Sequence, residues 1–258
     1  MKIYSYKTPE VEETLDVHVL TALDLIKKKS KIVRYGAKIE PKFYDILRVA
    51  VIFHDIGKAF YQANYKEKDM KRVLSFRGHE VISAYIFHNI LKKLKQEVGV
   101  EEYRIYDPAT FSILYHHHAM GIDKRISTII KIKEPEELGK ILQVTSSIID
   151  NILQKNELEE FRKALVNTVM ELIEKVQEVG FRKLLEIIAG NVKQLKSSLW
   201  RKDYGYATSK KFRKVALLLL SALITVDYIA AIKIRGGSQT IFAQAINEYY
   251  AIYFMNNF

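Results

Sequence analysis

At 258 residues the chain can bury a sizeable core as one domain or two small ones, and 48% hydrophobic with 28% charged residues excludes a disordered polypeptide. The absence of cysteine excludes disulfides, iron–sulfur clusters, thiolate zinc sites and thiol nucleophiles. Lysine and arginine outnumber the acids 41 to 30, and the resulting +11 charge with a pI near 9.4 favours a polyanionic partner such as nucleic acid.

Only 11 glycines and 4 prolines punctuate the chain, which predicts long helices. The N-terminal MKIYSYKTPEVEE lacks the apolar run of a signal peptide, so a cytoplasmic location is expected. Thr8-Pro9-Glu10 resembles a helix start, and Leu15, His18, Val19, Ala22, Leu25 and Ile26 recur at helical spacing behind it. The polar stretch KKKSKIVRYG is expected to end that helix. A second helix from Pro41 is apolar on nearly every side from Ile46 to Phe53 and runs into His54-Asp55-Ile56-Gly57-Lys58. A polar basic loop, YKEKDMKR, follows, then a helix from His79 that ends before Gly99. Pro108 to Ala119 predicts a further helix leading into His116-His117-His118, while Arg125 to Lys133 fits either a short strand or an extended loop. Leu138 to Leu153 is amphipathic, and two or three charged helices with a break near Gly180 fill residues 156–199. A basic aromatic loop, Trp200 to Lys214, precedes the apolar run Val215 to Ile232. That run is about as long as the shortest membrane spans, but Asp227 in its middle favours a buried core helix. The aromatic C-terminus, NEYYAIYFMNNF, suits docking on the body or on a partner.

Seven histidines carry the chemical signal: His18, His54, His79, His88, His116, His117 and His118. A lone histidine on an apolar face, such as His18 or His88, is ordinarily a core residue. His54-Asp55 at the end of a buried helix is different, because helical neighbours point about 100° apart. The pair can flank one cation, or the aspartate can bridge two. Apolar context before His54, His116 and Asp227 puts all three inside, where unpaired polar groups are costly. Imidazole and carboxylate together suit manganese, iron, cobalt, nickel, zinc or hydrated magnesium. About six ligands exceed what one open catalytic ion needs, so two ions sharing an aspartate fit better. Lys58 is placed to meet a phosphate oxygen.

These residues resemble the HD superfamily of metal-dependent phosphohydrolases. His54-Asp55-Ile56-Gly57-Lys58 is similar to its HDxGK signature, Leu15–Ala22 to its first-helix histidine segment, and Gly78–Ala84 to a GHxxxSA motif. Tyr115-His116-His117-His118 resembles a tandem-histidine motif and Leu220–Ala230 the closing aspartate helix. Their order resembles the stand-alone HD nuclease of type I CRISPR interference, without a helicase part. The resemblance implies an all-α HD bundle with at most a minor strand pair, one domain over residues 1–258; about 154–214, which matches nothing in the family, reads as a helical elaboration and basic loop within it. It implies His18, His54, Asp55 and Asp227 around one ion, and Asp55, His79, His116 and His117 around a second, with Lys58 near the scissile phosphate. His117-His118 is the alternative pair. It further implies hydrolysis of single-stranded DNA, with RNA or flapped DNA left open, by a two-metal hydroxide mechanism, recruited by a superfamily-2 helicase subunit and an RNA-guided surveillance complex, with no membrane partner. The alternatives are an HD phosphohydrolase of nucleotides or cyclic nucleotides and a non-catalytic basic helical nucleic-acid-binding protein. For the nucleic acid, the candidate contacts are Lys66, Lys68, Lys71 and Arg72, and Arg201, Lys202, Lys210, Lys211 and Arg213 with Trp200, Tyr204 and Tyr206 interleaved.

Overall fold

The computed structural model describes residues 1–68, 70–98, 103–117, 121–200, 210–236 and 240–255. Among them are eleven α-helices and two short antiparallel strand pairs. The chain begins with β1 (Tyr4–Lys7) and β2 (Glu12–Thr14), then α1 (Leu15–Asp24), α2 (Lys31–Ile39) and α3 (Phe43–Phe53). A 3₁₀ segment, Ile56–Tyr61, leads to β3 (Tyr65–Lys68) and β4 (Lys71–Leu74). There follow α4 (His79–Val98), α5 (Asp107–Tyr115), α6 (Ile122–Ile129), α7 (Leu138–Lys155), α8 (Glu160–Val179), α9 (Phe181–Trp200), α10 (Lys210–Arg235) and α11 (Ile241–Tyr250).

The bundle is built around α3 and α10. Residues Val49 to Phe53 of α3 are fully buried, as the all-round apolar pattern requires. α10 lies against α1, α2, α3 and α5, and α4 packs on the 3₁₀ segment, α5 and α8. Among the described residues α10 is the one helix long and apolar enough to cross a membrane, yet Leu219, Ala222, Leu223 and Val226 are buried in the protein core.

Four local expectations are corrected. The Thr8-Pro9-Glu10 signal makes a turn, not a helix start. Thr8 Oγ1 accepts from the Glu10 and Val11 amides at 3.3 and 3.0 Å, and the Thr8 amide donates to Val11 O, so the capping chemistry closes the β1–β2 hairpin. The lysine-rich stretch after α1 contains α2, whose Ile32, Val33 and Gly36 share a buried face. Tyr65–Leu74 is a hairpin rather than a loop, with Tyr65 opposite Leu74 and Lys66 opposite Val73, making two strand pairs where at most one was expected. Ile122–Ile129 is a helix: its isoleucines suggest a strand, but Ile122, Ile126 and Ile129 follow helical spacing and the last two are buried. The break at Gly180 is present, with φ +80° between α8 and α9. At the C-terminus Phe254 is buried and Tyr249 donates to Ser221 Oγ at 3.3 Å, so the aromatic tail docks in part on the body.

His88, on α4, has a consequence for stability. Burial, aided by Lys92 and Lys95, pushes its pKa down to about 3. The folded state therefore binds this proton less readily than the unfolded chain. Its contribution is intact above the unfolded value near 6.5 and is lost as pH falls toward the folded one. His88→Gln is expected to show a smaller drop in urea midpoint between about pH 7.5 and about pH 5 than the parent. An equal drop would reject the assignment.

Candidate metal centre

Five separate places in the chain meet at one site. His18 comes from the middle of α1, His54 from the end of α3, and Asp55 from the residue before the 3₁₀ segment. His79 opens α4, His116 and His117 follow α5, and Asp227 lies on α10. Three of the imidazoles are fixed in the same manner. His54, His79 and His116 each hold the carbonyl three residues back through Nδ1: Val51 O at 2.7 Å, Phe76 O at 2.8 Å and Ile113 O at 2.7 Å. At the ends of α3 and α5 those carbonyls are among the helix's orphaned acceptors. A carbonyl only accepts, so Nδ1 carries the proton and Nε2 presents a lone pair.

Those three Nε2 atoms are buried; among the described residues no donor faces them, and His79 Nε2 abuts a carboxylate oxygen of Asp55. Orphaned nitrogens converging in a protein interior are costly unless a cation takes them. Two groups form, each with its donor atoms within 4.8 Å of one another: His18, His54 and Asp227, and His79, His116 and His117. Asp55 stands between them. Its Oδ2 lies 3.4 Å from His18 Nε2 and 3.5 Å from His54 Nε2, while its Oδ1 lies 2.8 Å from His79 Nε2. The donor set fits divalent cations, with one carboxylate oxygen facing each group.

Residues 16–159, more than half of the chain, match the HD domain family. The chain belongs to it. It matches no curated protein and no solved structure. Membership implies divalent-metal binding and hydrolysis of the phosphohydrolase type. Asp227 lies beyond the matched residues of the HD domain, and its Oδ1 is 3.0 Å from His18 Nε2 and 3.6 Å from His54 Nε2.

Electrostatics in the HD site sort the groups. Burial holds His116 well below the usual imidazole range, helped by His117 and His79, and pushes His117 down to about 3. Both are neutral and ready to donate lone pairs. Burial works against charge on Asp55 and Asp227 as well, but His54, Lys58 and His79 hold Asp55 well below the usual range, and His18 and His54 do so for Asp227. On His18, burial is outweighed by hydrogen bonds to Asp227 and Glu13 and by the charge of Asp55, which raise its pKa to about 9. A cation binding there displaces that proton.

Several residues of the site carried no signal in the sequence. Glu13 is buried, with Oε1 2.7 Å from His18 Nδ1, and Arg235 pairs with its other oxygen. The only hint was its position five residues ahead of His18, which the expected helix start obscured. A carboxylate on the far nitrogen orients an imidazole and strengthens it as a ligand. Glu13→Gln is expected to weaken manganese binding about 10- to 100-fold by calorimetric titration. Affinity within about twofold of the parent would show that Glu13 does not act through His18. Ser5 donates to Asp55 Oδ2 at 3.2 Å and accepts from Lys58 Nζ at 3.0 Å.

Lys58 is buried rather than solvated, 2.5 Å from Asp55 Oδ2. It lines a cleft of about 530 Å³ together with His79, His117, Asp227, Arg77, Arg125 and Arg235. Of the basic residues expected to meet nucleic acid, Lys66 is exposed on β3, Arg72 lies over the Tyr65 ring, and Lys71 pairs with Glu10. Lys211 pairs with Glu40 at 2.8 Å. Lys210 and Lys211 begin α10, 17 residues and so roughly 25 Å from Asp227, and do not join the cleft. The side chains of Lys68 and Trp200, together with Arg201, Lys202, Tyr204, Tyr206 and His118, lie outside the described residues.

Proposed function

We propose that this HD domain is a nuclease that hydrolyses phosphodiester bonds of single-stranded DNA with two divalent ions, as the nuclease subunit of CRISPR interference. The observation behind the two-ion reading is the division of Asp55, whose two oxygens face different histidine groups. The interference role and its helicase and surveillance-complex partners rest on the motif order from His18 to Asp227.

His18, His54 and Asp227 would hold one ion, His79, His116 and His117 the other, and Asp55 both. Manganese, magnesium, iron, cobalt and nickel suit these donors. Bound there, the ions supply Lewis-acid activation of water and of a phosphoryl oxygen. The chain's own residues position the substrate. Lys58 Nζ, steadied by Asp55 and Ser5, presents a point charge to a phosphate oxygen on the cleft wall. Arg77 and Arg125 line the same cleft, where planar guanidinium groups suit phosphate oxygens. Arg125 is itself oriented by Glu80, with Nη1 3.1 Å from Oε1.

The cleft's volume also suits a single nucleotide, which makes a nucleotide phosphohydrolase the second reading. A metal series on circular and linear single-stranded DNA, deoxynucleoside triphosphates and cyclic nucleotides separates the two. Cleavage of the circular strand, lost on chelation and restored by manganese or a related ion, is the expected result. Turnover of nucleotides alone would establish the second reading.

A further inference from the structure

We propose that the two small hairpins, β1–β2 and β3–β4, form a platform along which a single-stranded polynucleotide leaves the cleft; this rests on the nuclease reading above. Strand alternation makes the connection. Along β1, Ser5 points inward to Asp55 and Lys58 and is 1% exposed, whereas Tyr4 and Tyr6 on either side are partly exposed. One strand thus forms the floor of the catalytic cleft and an outer aromatic edge. Gln62 locks this strand to the segment bearing Lys58, since its Nε2 donates to both Tyr4 O and Lys58 O.

Outward from the cleft, each ring is matched with a cation. Arg235 lies 4.3 Å from the Tyr6 ring centroid, Lys7 4.0 Å from Tyr4, and Arg72 4.4 Å from Tyr65. Tyr6 lines the catalytic cleft. Lys7, the next residue, lines a second groove of about 240 Å³ with Thr8, Pro9, Tyr65 and Arg72. β1 also touches β4, so the two hairpins adjoin. Arg235 and Lys7 are committed to Glu13 and Glu12, but Arg72 and Lys66 form no ion pair among the described residues. A strand presents one base and one phosphate per nucleotide, and alternating rings and cations answer both. A guanidinium stacked on a ring offers a flat surface for a base and donors for a phosphate at once.

The test uses the full chain without metal and fluorescent oligothymidylates of about 4 and about 20 nucleotides, read by anisotropy. Joint Tyr65→Ala and Arg72→Ala substitution is expected to weaken the longer ligand roughly tenfold or more and the shorter about twofold or less. Tyr65→Phe, which keeps the ring and guards against a collapsed hairpin, is expected to bind as the parent does. Lys183→Ala on α9 is the control for loss of charge alone. The platform is overturned if the joint variant retains its affinity, if the control loses as much, or if the parent binds both lengths equally. Hydrolysis of a thymidine nitrophenyl phosphodiester by the parent is measured alongside. If no divalent ion supports hydrolysis by the parent, the nuclease reading falls, while the dependence of binding on length still decides the platform.

Discussion

Asp55→Asn is expected to lower phosphodiester hydrolysis by at least about 10³-fold, the equivalent of several kcal/mol of transition-state stabilisation. Asp55 sets one carboxylate oxygen against each histidine group, and its charge lies between them. An amide keeps the shape but neither the charge nor two equivalent oxygens. The change also deprives Lys58 of its buried counter-ion, and breaking such a pair from one side costs roughly 3–5 kcal/mol. The metal-free variant should therefore melt at lower temperature, and turnover must be measured where circular dichroism shows it folded. Metal content by mass spectrometry is the second readout, with fewer than two ions per chain expected. A folded variant that holds two ions and turns over within about tenfold of the parent would remove Asp55 from the centre of the site.

Gly57→Ala is expected to damage the same site through the backbone. A Cβ at position 57 would lie 2.3 Å from His79 O, 2.7 Å from Ser83 N and 2.8 Å from Ser83 Oγ. Two of those atoms belong to the backbone of the first turns of α4 and cannot swing aside. The 3₁₀ segment bearing Lys58 would have to withdraw from the helix bearing His79, breaking the Gly57 amide hydrogen bond to Ser83 Oγ at 2.9 Å. Overpacking of this kind costs about 1–3 kcal/mol, with metal affinity falling as Asp55 and His79 separate. Urea denaturation of the metal-free protein measures the first effect and manganese titration the second. Ser83→Ala, which removes the hydrogen bond without adding bulk, should cost about 1–3 kcal/mol by leaving a buried amide unpaired. Unchanged stability in Gly57→Ala would mean that the approach of these two segments is not tight.

Much of the site could be read in advance because its residues interrupt strong apolar patterns. His54, His116 and Asp227 follow or divide runs that could only be buried, and buried polar groups need partners. His79 was legible through its surroundings, and the structure gives the reason: Gly57 and Ser83, both within the quoted motifs, are where the two segments touch. Glu13, Ser5 and Arg235 were not legible. Each sits in a polar or mixed stretch where a charged or small side chain is unremarkable, and Ser5 and Arg235 acquire their roles from partners far away in the chain. The pairing of Glu13 with Arg235 spans 222 residues. The Thr8-Pro9-Glu10 turn was misread for a related reason, since a threonine hydroxyl caps a helix and closes a turn through the same hydrogen bonds.

Periodicity and composition were enough to specify a helical chain, rich in interior histidine and acid and devoid of thiols, because burial and backbone pattern are local properties of a segment. Which imidazole faces which oxygen was settled by packing. α1, α3, α4, α5 and α10 meet at angles no single helix encodes, and ligand geometry depends on where their ends converge. Folding also determined the tautomers: the carbonyls of Val51, Phe76 and Ile113 hold the Nδ1 protons and turn three lone pairs toward Asp55 and its neighbours.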